Sequence, residues 1–236
     1  MLLALDTATE WIHLALLGED GAWTKRALTD PSCSASMVLL PSIDELLIEA
    51  DACRGDICGV AACIGPGGFT SLRVGIATAE GLGIAGLKTW GYSSFELRAF
   101  ALNAENPGCS GVTCLVLDGK RGDAFMQPWD LGELRPISPA RKIPLTELQL
   151  AIGDSEWWTL ERFAKQVTAH VSRPPTLLKN EAKATLNALS NLGRVCSGRP
   201  PEAPLAPFYL RETDAELNFP QASAHLSEAH RRGIPR

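Results

Sequence analysis

Asp6 and Thr7 end the apolar run Leu2–Leu5, and Gly65-Pro66-Gly67-Gly68 ends a second one. A carboxylate at a strand end can hold a magnesium ion, and the hydroxyl beside it can face a phosphate. A glycine loop that opens into a helix can cradle an anion on its backbone N–H groups. Arg73 falls in the first turn after that loop, where the helix dipole disfavours a cation unless an anion is near. Asp6, Thr7, Gly67, Gly68 and Arg73 are therefore the candidate nucleotide- or anion-binding residues. Each has a plainer reading. Asp6 can be a turn former that accepts backbone hydrogen bonds, and Arg73 can pair with a surface carboxylate. Other chemistries find less support. The four histidines, His13, His170, His225 and His230, show no metal-ligand spacing. No G-x-S-x-G turn is present to expose a nucleophilic serine. No catalytic residue and no metal site are expected.

The elements that must position these residues follow from the apolar pattern. Leu2–Leu5, Trp11–Leu17 and Ala22–Leu28 read as three strands, the last two joined by a hairpin at Gly18–Gly21. Leu39, Ile43, Leu46, Leu47 and Ala50 share one face of a helix, with Pro41 marking a kink or a late start. Ile57–Ile64 reads as a strand covered on both faces. The helix after the glycine loop is capped by Thr70 or Ser71. It carries Leu72, Gly75, Ile76, Ala79, Leu82, Gly83 and Gly86 at helical spacing. Gly75, Ala79 and Gly83 form a groove of small residues along it. Glycine in a helix interior costs roughly 1 kcal/mol relative to alanine, so something must pack closely there: the chain's own sheet, another helix or a partner. Leu87–Trp90 is a strand, and Ser93 with Glu96 is a capping box opening a helix to about Ala104.

The order βββαβαβα is ribonuclease H-like, and a weaker second copy begins after Asn106-Pro107-Gly108. Leu115–Asp118 echoes Leu3–Asp6. Strands are expected at Ala124–Trp129, Leu134–Ile137 and Trp157–Leu160. Helices are expected at Thr146–Ile152, Glu161–Val171 and Thr176–Leu192. Phe208–Arg211 is expected to dock back as a strand or hook. Trp157 and Trp158 read as core plus one outward ring. The domains are thus residues 1–105, 106–211 and a polar tail, 212–236.

Composition narrows the function. The chain has 236 residues and a net charge of −5, which disfavours a protein that grips nucleic acid alone. Its start is too short and lacks the basic residues of a signal peptide. No stretch approaches the ~18 apolar residues of a membrane span. The seven cysteines form no C-x-x-C pair, and read as reduced thiols of a cytoplasmic protein.

LLALDTATE at the start, GPGGFTSLRVGIATAEGL, DGKRGD at 118–123 and PFYLR near the end occur in the order of one family. The chain resembles the TsaB (YeaZ) family, across most of residues 1–211. Where that family usually reads GPGSFTGLR, Gly68 and Ser71 stand here. Ala35 stands at an often-histidine position, and Asp118–Asp123 replaces D-A-K/R-x-G-E. The resemblance implies an α/β, actin-like (ASKHA) two-lobed fold. It implies a non-catalytic subunit in making threonylcarbamoyladenosine at position 37 of tRNA. Such a subunit pairs with TsaD, is joined by the ATPase TsaE and meets tRNA only through the complex. The pairing helices map onto Met37–Ala50 and Thr70–Gly86. That makes Leu39, Ile43, Leu46, Leu47, Leu72, Gly75, Ile76, Ala79, Leu82 and Gly83 the expected partner-binding residues. No cofactor is expected to bind firmly, with ATP or ADP a candidate at the partner interface. The competing readings are an ATP-dependent kinase or carbamoyl-type transferase of the same fold, and a homodimeric interaction module using the same helices.

Overall fold

A computed structural model describes residues 1–18, 23–28, 33–106, 111–178 and 180–210. The first sheet has the order β3-β2-β1-β4-β5. Strands β1 (Leu2–Asp6), β2 (Ile12–Leu17) and β3 (Trp23–Leu28) form an antiparallel meander. Strands β4 (Gly59–Gly65) and β5 (Lys88–Ser93) add in parallel on the other side of β1. Every residue of β1 is buried, because the sheet is covered on both faces. Helices α1 (Ala35–Glu49) and α2 (Phe69–Ile84) lie on one face. Helix α3 (Ser94–Glu105) lies on the other, where α6 (Glu181–Ser197) joins it. Strand alternation shows the two faces directly. Leu5 and Thr7 reach α2, whereas Asp6 between them reaches α3. The serine half of the expected capping box forms, Ser93 Oγ accepting from the Glu96 N–H at 3.0 Å, whereas the Glu96 carboxylate pairs with Arg199.

The second sheet repeats the order in shortened form. Strands β6 (Val112–Lys120) and β7 (Asp123–Asp130) are antiparallel. The outer edge of β7 is shared by β8 (Arg135–Pro136) and β9 (Arg141–Pro144). After α4 (Leu148–Ile152), β10 (Glu156–Thr159) returns parallel to β6. Meander, helix and parallel return thus occur twice, which is the two-lobed actin-like architecture. Helix α5 (Glu161–Val167) follows β10.

Several expectations change. The third strand of the second sheet is chiefly Arg141–Pro144, not Leu134–Ile137, because only β9 continues along the first half of β7. The last helix starts at Glu181, not Thr176. Thr176 is held in a parallel bridge to Trp158, and Asn180 caps the helix by accepting from the Lys183 N–H at 3.0 Å. The helix after β10 stops at Val167 rather than Val171. Helix α2 begins one residue before Thr70, with Gly68 as its N-cap. Pro41 sits inside an uninterrupted α1, on its exposed side, where water can take the carbonyl it leaves without a helical partner. Trp157 and Trp158 are both buried. Residues 106–211 read as one lobe in sequence, yet α6 packs against β1, β2, β3 and α3 of the first. Residues 19–22 of the expected hairpin turn, 107–110 and 211–236 lie outside the described residues.

Candidate functional site

The glycine loop is bound to the turn after β1. The Gly68 N–H donates to the Ala8 carbonyl at 2.7 Å. A Cβ on Gly67 would lie inside 3.0 Å of that same carbonyl, so only glycine lets the two segments meet. Gly65 takes φ of 110°, a second position that favours glycine. From below, the Ser94 hydroxyl donates to the Pro66 carbonyl at 2.7 Å. The loop is therefore a tight junction between β1 and α2, with the Gly68 amide already engaged.

Asp6 is wholly buried beneath this junction. Its Oδ1 accepts from the Ala8 N–H at 2.9 Å. Its Oδ2 accepts from Arg98 Nη2 at 3.4 Å, and His13 Nδ1 lies 3.7 Å away. Arg98 is buried too, and its Nη1 donates to Thr185 Oγ1 of α6 at 2.6 Å. Burial pushes the Asp6 carboxyl up, but the neighbouring His13 and Arg98 and the Ala8 amide outweigh it and hold the group at about 2. The carboxylate thus has an internal cation as its counter-charge. Arg98 was not a sequence candidate. Its signal is a cation inside the apolar run Phe95–Leu102.

A cleft of about 1020 Å³ separates the glycine loop from the β6–β7 turn. Gly67 and Gly68 line it, with Arg98, Asp118 and Lys120. Asp6, Thr7 and Arg73 do not line it, so the structure does not gather the five candidate anion-binding residues. Thr7 points at Gly75 instead. Arg73 lies on the outer side of α2, its guanidinium 3.7 Å from the centre of the Phe69 ring. Glu10 and Arg162 pair across the cleft at 2.6 Å. Among the described residues no three His, Cys, Asp or Glu side chains assemble into a metal-binding group.

The expected partner-binding residues face inward. Leu39, Ile43, Leu46 and Leu47 of α1, and Leu72, Gly75, Ile76 and Ala79 of α2, are buried in this chain's own core. A Cβ on Gly75 would collide with Thr7 Oγ1, inside 3.0 Å, and one on Gly83 would press Thr89 at 3.1 Å. The small-residue groove is where α2 seats on its own sheet. Leu82 and Gly83 are half-buried at its end. The outward faces carry other residues. Met37, Leu40 and Ile48 of α1 are 71%, 57% and 77% exposed, and Ile84 of α2 is 90% exposed. Ala77 and Gly81 are exposed one turn apart on α2, and a Cβ on Gly81 would meet nothing within 4 Å.

A family model described as TsaD, tRNA N6-adenosine threonylcarbamoyltransferase, matches residues 34–139. The tRNA threonylcarbamoyladenosine biosynthesis protein TsaB of Bacillus subtilis (strain 168) is 22% identical over 92% of this chain and 97% of its own. This chain is similar to the TsaB proteins over most of its length. TsaB of Escherichia coli (strain K12) is 30% identical, over 56% of this chain and 56% of its own length. YeaZ from Pseudomonas aeruginosa has the same fold, with a TM-score of 0.71 and 22% identity over 89% of this chain and 99% of that one. No described helix is long and apolar enough to cross a membrane.

Proposed function

We propose that this chain is a non-catalytic subunit of the machinery that makes N6-threonylcarbamoyladenosine at position 37 of tRNA. In this reading it docks a TsaD-like transferase, a TsaE-like ATPase joins the pair, and tRNA is met only through the complex. ATP or ADP enters only at the interface with the partner. The observation that carries the reading is the outward face of α1 and α2. Met37, Leu40, Ile48 and Ile84 stay exposed although the inner faces of the same helices are filled. Neighbouring exposed apolar side chains mark interaction surfaces. The small residues Ala77 and Gly81 let another helix approach closely. The Asp6–Arg98 pair supports the non-catalytic part, since the strand-end carboxylate already faces a buried cation.

Outer-face substitutions separate docking from folding. Ala77→Trp and Ile48→Asp should abolish co-sedimentation with the TsaD-like protein of the same organism. Their unfolding free energies should stay within about 0.5 kcal/mol of the unaltered chain, as for other exposed sites. Undiminished co-sedimentation of both variants would overturn the assignment of this face. ATP turnover by the isolated chain, lost in Asp6→Asn, would favour the kinase or transferase reading. The same face also suits a second copy when the partner is absent; added partner should then dissolve that homodimer.

A further inference from the structure

One surface arginine is held in an unusual way. The Arg73 guanidinium lies 3.7 Å from the Phe69 ring centre and 5.6 Å from that of Tyr209. Its Nε donates to the Tyr209 hydroxyl at 2.8 Å. The two rings are 5.6 Å apart and tilted by 32°. Tyr209 arrives there because the segment after α6 is fastened along the first lobe. Trp90 Nε1 donates to the Arg199 carbonyl at 2.9 Å. The Glu202 N–H donates to the Thr89 carbonyl, and the Phe208 N–H to the Ile64 carbonyl, each at 2.7 Å.

The arrangement fixes a cation without neutralising it. Among the described residues no carboxylate pairs with Arg73, and Nε is the one of its nitrogens that is hydrogen-bonded. Among those residues its two terminal nitrogens meet no partner and form a planar fork on the exposed side of α2. Phe69 and Tyr209 are partly exposed beside it. Ala77 lies one turn further along the same helix, and Ile84 beyond it. Stacking on Phe69 and the hydrogen bond to the Tyr209 hydroxyl remove side-chain freedom before any partner arrives, which lowers the entropy cost of binding. A fork held this way matches a carboxylate through two parallel hydrogen bonds. Arginine and tyrosine are also enriched among the residues that dominate interface energies.

We infer that Arg73, clamped by Phe69 and Tyr209, is the anchor point for a carboxylate side chain of the protein that docks on α2. This rests on the outward face being the docking surface, and it adds the partner's chemistry: an acidic residue bordering an apolar contact. The C-terminal strap then acts in recognition, since it delivers Tyr209 to the clamp.

The test is the affinity of the full chain for the TsaD-like protein, with Arg73→Lys, Arg73→Met and Tyr209→Phe. Both Arg73 variants should bind about tenfold more weakly or worse, since lysine keeps the charge and loses the fork. Tyr209→Phe should weaken binding about threefold, and Arg73→Met should flatten the salt dependence of the dissociation constant. Thermal midpoints recorded in parallel show that the variants are folded. Wild-type affinity in Arg73→Lys, or a change below about twofold in Arg73→Met, would overturn the inference while leaving the face intact if Ala77→Trp still abolishes binding. Inorganic phosphate or ATP strengthening the unaltered complex but not the Arg73→Met one would assign the fork to phosphate and also overturn it. So would an equal loss on changing Glu212, Asp214 and Glu216 together to amides, because the carboxylate would then be the chain's own. Failure of the unaltered chain to bind would overturn the docking reading and this inference together.

Discussion

Gly75→Leu should leave no soluble, folded first lobe. The position lies where α2 crosses the end of β1. Even one added carbon would sit inside 3.0 Å of Thr7 Oγ1 and 3.2 Å from Leu5 Cδ1. Both neighbours are buried, Leu5 on the central strand and Thr7 just past its end, and cannot withdraw. Overpacking of this kind typically costs about 1–3 kcal/mol for small additions and more when backbone must shift. Gly75→Ala should therefore lower the unfolding free energy by roughly 2–3 kcal/mol. Gly81, six residues along the same helix, provides the contrast. A Cβ there meets open space, so Gly81→Ala should stabilise the chain by about 0.5–1 kcal/mol. Urea unfolding of the two alanine variants measures the difference directly. Equal midpoints for both would contradict the packing of α2 described here.

Breaking the buried pair beneath the glycine loop should have the second large effect. Arg98→Met leaves the Asp6 carboxylate buried with the partial support of the Ala8 amide and His13. Asp6→Ala leaves the Arg98 guanidinium buried without its carboxylate. Each should cost about 3–5 kcal/mol, whereas the double replacement Asp6→Leu with Arg98→Met should recover much of that loss. The pH dependence has a definite sign. Burial raises the Asp6 carboxyl, but His13, Arg98 and the Ala8 amide hold it at about 2, below its ordinary 3.8. A group whose folded value is depressed contributes stability above its unfolded value and loses it as pH falls through the folded one. Unfolding free energy should therefore drop by about 2 kcal/mol between pH 4 and 2 on account of this group. Asp6→Asn should remove that part of the slope. An unchanged slope in Asp6→Asn would show that other carboxylates govern acid unfolding.

Much of the architecture was readable in the residues. The apolar runs ending in Asp6 and Asp118 mark the first strands of the two sheets, and Ser93 with Glu96 marks the start of α3. The paired loop glycines were readable as a close approach, but not as an approach to the Ala8 carbonyl. Strand β9 was hidden because Arg141 and Lys142 face solvent, and its four residues carry no clear alternation. The return of α6 to the first sheet is a long-range event that no local pattern encodes. Local pattern leaves open which side of α2 faces out. Gly75, Ala79 and Gly83 repeat every fourth residue, and so do Ala77 and Gly81. Periodicity shows that small residues share a face; only the position of Thr7 and Leu5 shows which face is filled. The Arg73–Tyr209 contact joins residues 136 apart and was equally out of reach.

Amide hydrogen exchange of the full chain, with and without the TsaD-like protein, tests the central claim most directly. Binding should slow exchange in peptides covering Ala35–Glu49 and Phe69–Ile84 and leave the β6–β7 turn around Asp118 unchanged. Protection confined to the cleft between the glycine loop and Lys120, with both helices unaffected, would contradict the account.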